Sequence, residues 1–275
     1  MVENLKNICG LEFYCLLGVS MGKRLGKSKN RAREYRIHEQ EKIDSGIFDE
    51  KTMISLSKFY NKNVISKLNF IIARGKEADV YIAESGTADS VKGNECIIMK
   101  FFRIETSSFF RMEDYMVGDP RFSKIKTTSK YELVKVWCKK EYGNLEIAAK
   151  AGVHAPKPFM FNGSILAMSL VGENLVPAPK LKDIELEDPK KILNTILSDI
   201  RKLYKNRLIH ADISEFNILI SDNIPYMIDF GQAVVKQHPK APDFLKRDVN
   251  NIIHYFKRRY HIDMDPEETF KKIIS

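Results

Sequence analysis

The chain lacks any long hydrophobic run, since no stretch of its 275 residues approaches the roughly 20 apolar residues that span a bilayer. The best candidate, residues 11–19, is short and contains Glu12. It has neither the basic flank nor the small-residue cleavage site of a secretory leader. We therefore expect no membrane segment and no signal peptide.

Cysteine is scarce, and its spacing excludes two common uses. The four cysteines are Cys9, Cys15, Cys96 and Cys138. They form no Cys-x-x-Cys pair, and no histidine stands at metal-binding spacing from them. Because disulfides persist mainly in oxidising compartments, this pattern is typical of reduced thiols in a cytoplasmic protein.

Acidic residues are outnumbered, which gives the chain a net charge of +9. Seven Lys and Arg residues fall within residues 23–36, against the single acid Glu34. Such a run neutralises phosphates when it binds a nucleic acid, but it is also typical of a solvated tail. No stacking platform or zinc-finger spacing accompanies it, so reading of base sequence is not indicated.

The order of the predicted elements in the first half indicates strands around one long helix. Residues 34–60 have helical spacing with an interruption at 44–46, and residues 105–130 are irregular. Strands are predicted at 70–73, 79–83 and 96–102. A helix from about residue 133 ends at Gly152. The hairpin 158–161 and 165–171 follows, with Asn162-Gly163 as its turn signal.

The second half is predicted to be helical around one small hairpin. Asp188 can cap a helix that has Pro189 at its first position. Strands at 217–220 and 226–229 are joined by residues 221–223, and a final amphipathic helix passes through 249–256. The whole order indicates an α+β protein with two lobes and a hinge at about 169–172.

The strongest chemical signal is HADISEFN (210–217), followed by Asp-Phe-Gly at 229–231. In protein kinases the catalytic loop reads His-Arg-Asp-x-x-x-x-Asn, and the aspartate of Asp-Phe-Gly binds the metal. Asp212 would face the phosphate acceptor, while Asn217 and Asp229 would offer oxygen ligands to Mg²⁺. Each residue alone is typical of a turn. The linked pattern predicts phosphoryl transfer.

A lysine stands inside the apolar strand CIIMKFF (96–102). An unpaired buried charge is costly, and the kinase template gives this lysine two partners, the ATP phosphates and a helix glutamate. We predict that Lys100 pairs with Glu141, with Glu132 and Glu146 as weaker candidates. The alternative is an edge-strand lysine whose ammonium lies in water.

Two features of conventional kinases are missing. No Gly-x-Gly-x-x-Gly occurs between the first two strands, where the chain reads ARGKEA (73–78). Gly75 permits a tight turn there, and backbone amides together with Lys76 could hold phosphates. No Ala-Pro-Glu follows Asp229, which predicts that the activation loop and the peptide-substrate platform are absent.

These motifs resemble those of the RIO family of atypical serine/threonine protein kinases. The resemblance rests on GKEADVY (75–81), RIETSSF (103–109), HADISEFN (210–217), IDFGQAV (228–234) and the stretch 135–158. It covers residues 35–272 and is closest to the archaeal subgroup without an N-terminal winged helix. It implies a trimmed, bilobal protein-kinase-like fold. The implied divisions are a basic, helical extension (1–68) and a kinase domain (69–275) with an N-lobe (69–169) and a C-lobe (173–275).

The resemblance also implies roles for single residues. Lys100 would contact the ATP phosphates and pair with Glu141, and the Ser169 carbonyl and Val171 amide would hold adenine. Asp212 would be the catalytic acid/base. Asn217 and Asp229 would bind Mg²⁺ or Mn²⁺, and Asp229 would be transiently phosphorylated. The family has Ser-Thr where this chain has Ala73-Arg74, so a hydroxyl contact to phosphate is replaced by a charge.

Other positions have implied supporting roles. Ser107, Ser108 and Ser123 are candidate autophosphorylation sites, and Arg247-Asp248 would brace the catalytic loop. Proteins of the family act in maturation of the small ribosomal subunit. The expected function is therefore that of an ATP- and Mg²⁺-dependent kinase and ATPase that binds pre-ribosomal small subunits, with residues 23–36 contacting rRNA.

Two alternatives remain open. Small-molecule kinases of the aminoglycoside or choline type share the catalytic-loop pattern, but they usually have a second histidine where this chain has Ile213-Ser214. A catalytically silent scaffold would bind RNA or ribosomal protein through its basic surface. Silent kinase-like proteins typically lack one of the four key side chains, and this chain has all four.

Overall fold

The structure, a computed structural model, describes residues 49–93, 96–104, 115–123 and 129–275. The basic segment 23–36, Ser107 and Ser108 lie outside these ranges, as does the first part of the predicted helical extension. Within the same ranges, no helix combines the length and the apolar composition needed to cross a membrane.

The N-lobe is a five-stranded antiparallel sheet with one helix on each face. Its elements are α1 (Glu50–Asn61), β1 (Ile65–Arg74), β2 (Ala78–Ser85), β3 (Cys96–Phe102), α2 (Lys130–Lys150), β4 (Pro158–Asn162) and β5 (Ile165–Ser169). The strand order across the sheet is β1-β2-β3-β5-β4. The Asp49 side chain caps α1 by accepting a hydrogen bond from the Thr52 amide at 2.8 Å.

The alternation of side chains along β3 decides where its lysine lies. Ile97, Met99 and Phe101 pack into the cluster beneath α1. Ile98 and Phe102 belong to the other cluster, which includes the buried face of α2. Because successive side chains of a strand point to opposite faces, Lys100 lies on the side of α2 and the C-lobe.

The C-lobe consists of helices around short hairpins. Its elements are β6 (Gly172–Glu173), β7 (Val176–Pro177), α3 (Pro189–Lys205), β8 (Leu208–Ile209), β9 (Ile218–Ser221), β10 (Ile224–Met227), β11 (Val234–Val235), α4 (Ala241–Tyr260) and α5 (Pro266–Ile274). As predicted, the Asp188 side chain caps α3, with Pro189 in its first turn. Only residues 236–240 separate β11 from α4, so this part of the chain has no activation loop or peptide-substrate platform.

The β9–β10 turn fits its sequence closely. Asp222 and Asn223 have φ values of 52° and 57°, and they stand between the paired residues Ser221 and Ile224. Two successive residues with positive φ define the tight hairpin turn that favours Asp and Asn. The turn fixes the register of the hairpin, and hence the positions of the two residues that flank it, Asn217 and Asp229.

Several predicted strand boundaries were wrong. Strand β5 ends at Ser169 rather than at residue 171, and the β9–β10 hairpin, predicted at 217–220 and 226–229, is formed by Ile218–Ser221 and Ile224–Met227. Strand β1 begins at Ile65 rather than at residue 70. Its pairing with β2 contains register shifts, between Ile65 and Lys67 and twice more, which break the period-two alternation on which the prediction relied. The β4–β5 hairpin is confirmed, but Asn162 pairs with Ile165. Gly163 (φ 58°) and Ser164 therefore form the turn.

The C-terminal helix prediction was incomplete. The predicted last helix, α4, starts at Ala241 without a side-chain cap, so the sequence signals its beginning poorly. It ends at Tyr260, and the next residue, His261, adopts a left-handed conformation with φ 55° where glycine is usual. A further helix, α5, follows, capped by the Asp265 side chain.

Candidate active site

A cleft of about 520 Å³ lies between the lobes. Its wall includes six apolar side chains that the sequence analysis did not single out: Ile72, Val80, Ile98, Met168, Leu219 and Ile228. They come from both lobes, and together they line the cleft. Such a slot suits a flat, uncharged ring, since ligand sites are mostly apolar with a few placed polar groups.

Lys100 connects the two lobes across this cleft. Its Nζ donates to Glu141 Oε1 at 2.8 Å and to Oε2 at 2.9 Å, and to Asp229 Oδ1 at 3.0 Å. Glu132 and Glu146, the weaker candidates, are not its partners. Burial alone would lower the pKa of Lys100, but the Asp229 and Glu141 carboxylates outweigh it and raise that pKa above its ordinary value. The lysine is therefore charged.

Glu141 is the most buried member of this group, with 1% of its side chain exposed. Burial raises the pKa of Glu141, while the ammonium of Lys100 opposes that rise. Glu141 lies on α2, and both of its carboxylate oxygens accept hydrogen bonds from Lys100. The predicted pairing of Lys100 with Glu141 is thus confirmed, although the two residues are 41 positions apart in the sequence.

The catalytic loop holds Asp212 and Asn217 against each other. The Asn217 Nδ2 donates to Asp212 Oδ2 at 2.8 Å and to the Asp212 carbonyl at 3.0 Å. Burial and the nearby negative charge of Asp229 raise the pKa of Asp212 to about 6. A carboxylate with this pKa can accept a proton near neutral pH, as a general base requires.

Residues of α4 brace the catalytic loop, as expected for Arg247-Asp248. The buried Asp248 carboxylate accepts hydrogen bonds from the Ala211 amide at 2.7 Å and the Ile213 amide at 3.0 Å. The Arg247 guanidinium donates to the Ala211 carbonyl. Ala211 has a φ of 65°, a left-handed conformation that L-residues seldom adopt. The brace holds the backbone in that conformation beside Asp212.

His210 ties the catalytic loop to the metal loop. Its Nε2 lies 3.1 Å from the Ile228 carbonyl, and its ring meets the Phe230 ring edge-on, with centroids 4.6 Å apart. Burial lowers the pKa of His210 to about 4. The imidazole is therefore neutral and carries its proton on Nε2, facing the carbonyl.

Asp229 and Asn217 form a donor pair suited to a hard cation. They flank the β9–β10 hairpin, and the Ile228 amide bonds to the Asn217 carbonyl at 3.0 Å. The amide oxygen of Asn217 accepts no hydrogen bond from any described residue, and 41% of the Asp229 side chain is exposed. Lys100 lowers the pKa of Asp229. These oxygens fit Mg²⁺, which typically takes one or two protein ligands plus phosphates.

The phosphate loop is a short turn between β1 and β2. The Gly75 amide donates to the Ala78 carbonyl at 2.9 Å, and a Cβ on Gly75 would lie 3.0 Å from that oxygen. Arg74 and Lys76 are exposed and line the cleft. The loop therefore offers two cations at the cleft mouth, in a turn for which a side chain at position 75 would be tight.

The hinge residues lie where β5 leads into β6. Ser169 ends β5, and the Val171 carbonyl accepts from the Ala178 amide at 2.9 Å. The Val171 amide donates to none of the described residues. Both residues line the cleft next to Met168. The roles predicted for Ser169 and Val171 stay predictions, and their positions are compatible with backbone contacts to a planar base.

The sequence analysis missed two polar residues of α2. Lys140 and Asn144 are both buried, and they donate hydrogen bonds to backbone carbonyls of residues 230–233. Both lie in the stretch 135–158 that carries the resemblance, but no role was predicted for them, and their acceptors are backbone atoms some 90 residues away. Only the positions of these two residues on the apolar side of the helix could have indicated burial.

Comparison with known proteins decides the family. The family model of the RIO domain matches residues 79–269. The chain belongs to the RIO family. It is 35% identical over 241 residues to the RIO-type serine/threonine-protein kinase Rio1 of Haloferax volcanii, covering 86% of this chain and 81% of that protein. It is 40% identical over 179 residues to Rio1 of Thermoplasma acidophilum, covering 65% and 94%.

More distant relatives and solved structures agree. The human serine/threonine-protein kinase RIO1 is 32% identical over 254 residues, which are 88% of this chain but 43% of that protein. The Rio2 kinase of Chaetomium thermophilum matches with a TM-score of 0.63 and 25% identity, over 81% of this chain and 66% of that one. Its ADP/Mg²⁺-phosphoaspartate complex gives the same TM-score at 24% identity, over 82% and 65%. This RIO protein is an atypical kinase with the trimmed kinase fold.

Proposed function

We propose that this RIO protein is an ATP- and Mg²⁺-dependent serine/threonine kinase and ATPase that phosphorylates itself and acts in maturation of the small ribosomal subunit. One observation carries the enzymatic part. Lys100, Glu141 and Asp229 are joined by hydrogen bonds of 2.8–3.0 Å, beside the Asp212–Asn217 pair. A silent scaffold has no need to keep all these groups in contact.

Each residue has a task in phosphoryl transfer. Lys100, Lys76 and the loop amides hold the phosphates, and the backbone of Ser169 and Val171 orients the base. Asp212 accepts the proton of the attacking hydroxyl. Asn217 and Asp229 hold the metal ion, which when bound neutralises charge on the transferred group. Positioning and charge neutralisation supply most of the catalysis in this chemistry.

A second route uses Asp229 itself. A carboxylate oxygen of Asp229 attacks the γ-phosphorus, the bond to the β-phosphate oxygen breaks, and ADP leaves. Water then hydrolyses the acyl phosphate, which restores the carboxylate and releases inorganic phosphate. The solved complex of a relative with ADP, Mg²⁺ and phosphoaspartate supports this route. So does the low pKa of Asp229, which keeps the nucleophile ionised.

The short segment 236–240 supports a role as an ATP-hydrolysing switch rather than as a kinase that phosphorylates many different proteins. Without a peptide platform, the cleft has little surface for holding an extended substrate, so hydrolysis would serve to time binding and release. We place the protein in the cytoplasm, bound to pre-ribosomal small subunits, with the basic segment 23–36 contacting rRNA. Exposed Ser123 is the one candidate autophosphorylation site among the described residues.

The test is single-turnover hydrolysis of ATP with Mg²⁺, with and without purified small-subunit precursors, while acid-labile phosphate on the protein is measured. We expect stimulation by the precursor and labile phosphate that disappears in Asp229→Ala. The matched control is Asp243→Ala, which removes an exposed carboxylate from the first turn of α4.

The other outcomes separate the alternatives. Turnover stimulated by aminoglycosides or choline, but not by precursors, would favour a small-molecule kinase. Absence of ATP turnover in every condition would favour the catalytically silent scaffold. Stable phosphate transferred to serines of added proteins, without precursor stimulation, would indicate a conventional protein kinase.

A further inference from the structure

A buried polar cluster lies directly behind the metal loop. Only 1% of Lys140 is exposed, and its Nζ donates to the Gly231 carbonyl at 2.7 Å and to the Ala233 carbonyl at 2.6 Å. The ammonium also lies 4.9 Å from the centre of the Trp137 ring. The terminal amino group of an α2 side chain thus lies on the backbone that follows Asp229.

Asn144, one turn further along α2, contacts the same backbone. It is fully buried, and its Nδ2 donates to the Phe230 carbonyl at 2.8 Å and to the Ala233 carbonyl at 3.0 Å. Together, Lys140 and Asn144 make four hydrogen bonds to three carbonyls of residues 230–233. The loop is held from one helix face.

A third contact fixes which way the Asn144 amide faces. Its Oδ1 accepts from Arg121 Nη1 at 2.8 Å, so the two amide protons must face the carbonyls. Arg121 is held in turn by Asp119, through bonds of 3.0 Å from Nε to Oδ1 and 2.7 Å from Nη2 to Oδ2. Asp119 is fully buried. The orientation of Asn144 therefore depends on the segment 115–123.

Packing alone does not account for Lys140. Its ammonium forms no ion pair with any carboxylate in the described ranges. Burial, reinforced by the nearby charge of Arg121, lowers the pKa of Lys140 to about 7. A methionine would fill the same space without the cost of burying a charge. The cost of burying Lys140 is explained if the four hydrogen bonds are needed to hold residues 230–233 in place.

The backbone conformation of Asp229 explains why the position of this loop matters. Asp229 has a φ of 65°, which is left-handed and strained for a non-glycine residue. Such a conformation persists only where the surroundings determine it. The next residues, 230–233, are the ones that Lys140 and Asn144 hold. Side chains of α2 therefore supply hydrogen bonds to the backbone directly after Asp229.

We propose that Lys140 and Asn144 are positioning residues that fix the metal ligand Asp229 through the carbonyls of residues 230–233, and that the Arg121–Asp119 pair orients Asn144. This inference rests on the proposed role of Asp229 in metal binding. It adds a dependence of metal affinity on side chains that touch neither the metal nor the nucleotide.

The experiment measures Mn²⁺ binding by electron paramagnetic resonance, with the full chain saturated by a non-hydrolysable ATP analogue. Lys140→Met keeps the side-chain length and removes the donors, while Lys139→Met makes the same change at an exposed neighbour. We expect Lys140→Met to weaken Mn²⁺ binding about tenfold or more, as loss of groups that orient metal ligands does. Lys139→Met should leave it unchanged.

Three further variants complete the test. Asn144→Leu should weaken Mn²⁺ binding similarly and should make Trp137, the single tryptophan, more accessible to acrylamide quenching. Arg121→Met should weaken it less, and should add nothing in the Asn144→Leu background if both act through one contact. Nucleotide affinity measured in EDTA should stay constant, because the variants act on the metal ligand.

The outcomes separate this inference from the proposed function. Unchanged Mn²⁺ affinity in Asp229→Asn would overturn the metal role of Asp229 itself. Lost affinity in Asp229→Asn, with wild-type affinity in folded Lys140→Met and Asn144→Leu, would overturn the positioning role alone. If Lys140→Met does not fold, Asn144→Leu and Arg121→Met decide the question, because the Arg121 side chain is partly exposed.

Discussion

Ala211, in the catalytic loop, and Asp229, in the metal loop, are non-glycine residues held in left-handed conformations. Each such residue costs of order 1–3 kcal/mol, which neighbouring contacts must offset. At Ala211 those contacts come from Asp248 and Arg247. The backbone beside Asp212 and at Asp229 is therefore held in an unfavourable conformation, and the side chains that hold it come from two other parts of the chain, α4 and α2.

Asp248→Asn tests this brace. The amide can accept from only one of the two backbone amides and turns its NH₂ towards the other, so one buried N–H loses its partner. We expect unfolding free energy to fall by about 1–3 kcal/mol, with slower turnover and unchanged nucleotide affinity. Urea denaturation and single-turnover kinetics measure both. Asp243→Asn, exposed on the same helix, should change stability by less than about 0.5 kcal/mol.

Protonation of Asp212 should cause the fall in kcat/KM at low pH, which is the acid limb of the pH profile. Burial and the charge of Asp229 raise the pKa of Asp212 to about 6, and only the deprotonated form can accept the hydroxyl proton. We expect kcat/KM for phosphorylation of serine to be full above this pKa and to fall as pH drops through about 6. The profile of kcat/KM reports the pKa in the free enzyme.

Arg247 supplies a check on that assignment. Its positive charge lowers the pKa of Asp212, so Arg247→Gln should shift the acid limb to higher pH. A limb that stays in place, or moves to lower pH, would mean that another group titrates. Unfolding measured at each pH excludes acid denaturation as the cause.

At the scale of elements, the sequence predicted the parts whose signals are local. The signals for the apolar strand CIIMKFF and the cap at Asp188 each act within a few residues, and both are confirmed. The turn predicted at 221–223 is also present, but it consists of Asp222 and Asn223 alone. The meeting of Lys100 with Glu141 was predictable because one buried charge requires another. These signals are enough to place the catalytic loop and the metal loop at one cleft.

The features that the sequence did not predict depend on distant contacts or irregular backbone. Strand β1 was drawn too short because register shifts interrupt its alternation. The end of α4 was hidden because His261, not glycine, takes the left-handed position. Lys140 and Asn144 bond to carbonyls of residues 230–233, and a carbonyl acceptor leaves no trace in side-chain identity.

Helix α5 should be part of the C-lobe core rather than a loose end. Ile273 is 3% exposed, whereas its neighbour Ile274 is 41% exposed. We expect Ile273→Ala to lower the unfolding free energy by about 2–4 kcal/mol, as truncations in packed cores do, and Ile274→Ala to change it by less than about 0.5 kcal/mol. Chemical denaturation compares the two. Equal small effects would show that α5 contributes little to the lobe.

At the scale of the whole molecule, charge and catalysis are divided between different parts of the chain. In the cleft, Lys100 is paired with the carboxylates of Glu141 and Asp229, while the net charge of +9 is concentrated in part within residues 23–36. A surplus of this kind raises the rate and affinity of binding to any polyanion. Contact with rRNA through one segment therefore has to be distinguished from the effect of net charge.

Two sets of substitutions make that distinction. One replaces the seven basic residues of 23–36 by Gln, and the other replaces seven exposed basic residues of the folded domain: Lys139, Lys150, Lys157, Lys190, Lys191, Arg201 and Lys205. Both lower the net charge equally. Affinity for small-subunit precursors is measured at several salt concentrations, because each phosphate that the protein neutralises adds about 0.7–0.9 to the slope of log affinity against log salt.

We expect the first set to flatten this slope by several units, at about 0.7–0.9 for each phosphate that is no longer neutralised, and the second to change it little. The physical reason is that the slope depends on how many phosphates the protein contacts, since each contact releases counterions. Net charge acts at long range instead, and it is screened within about 10 Å at 0.1 M salt. Equal flattening by both sets would make binding a property of overall charge. A slope unchanged by the first set would remove residues 23–36 from the interface.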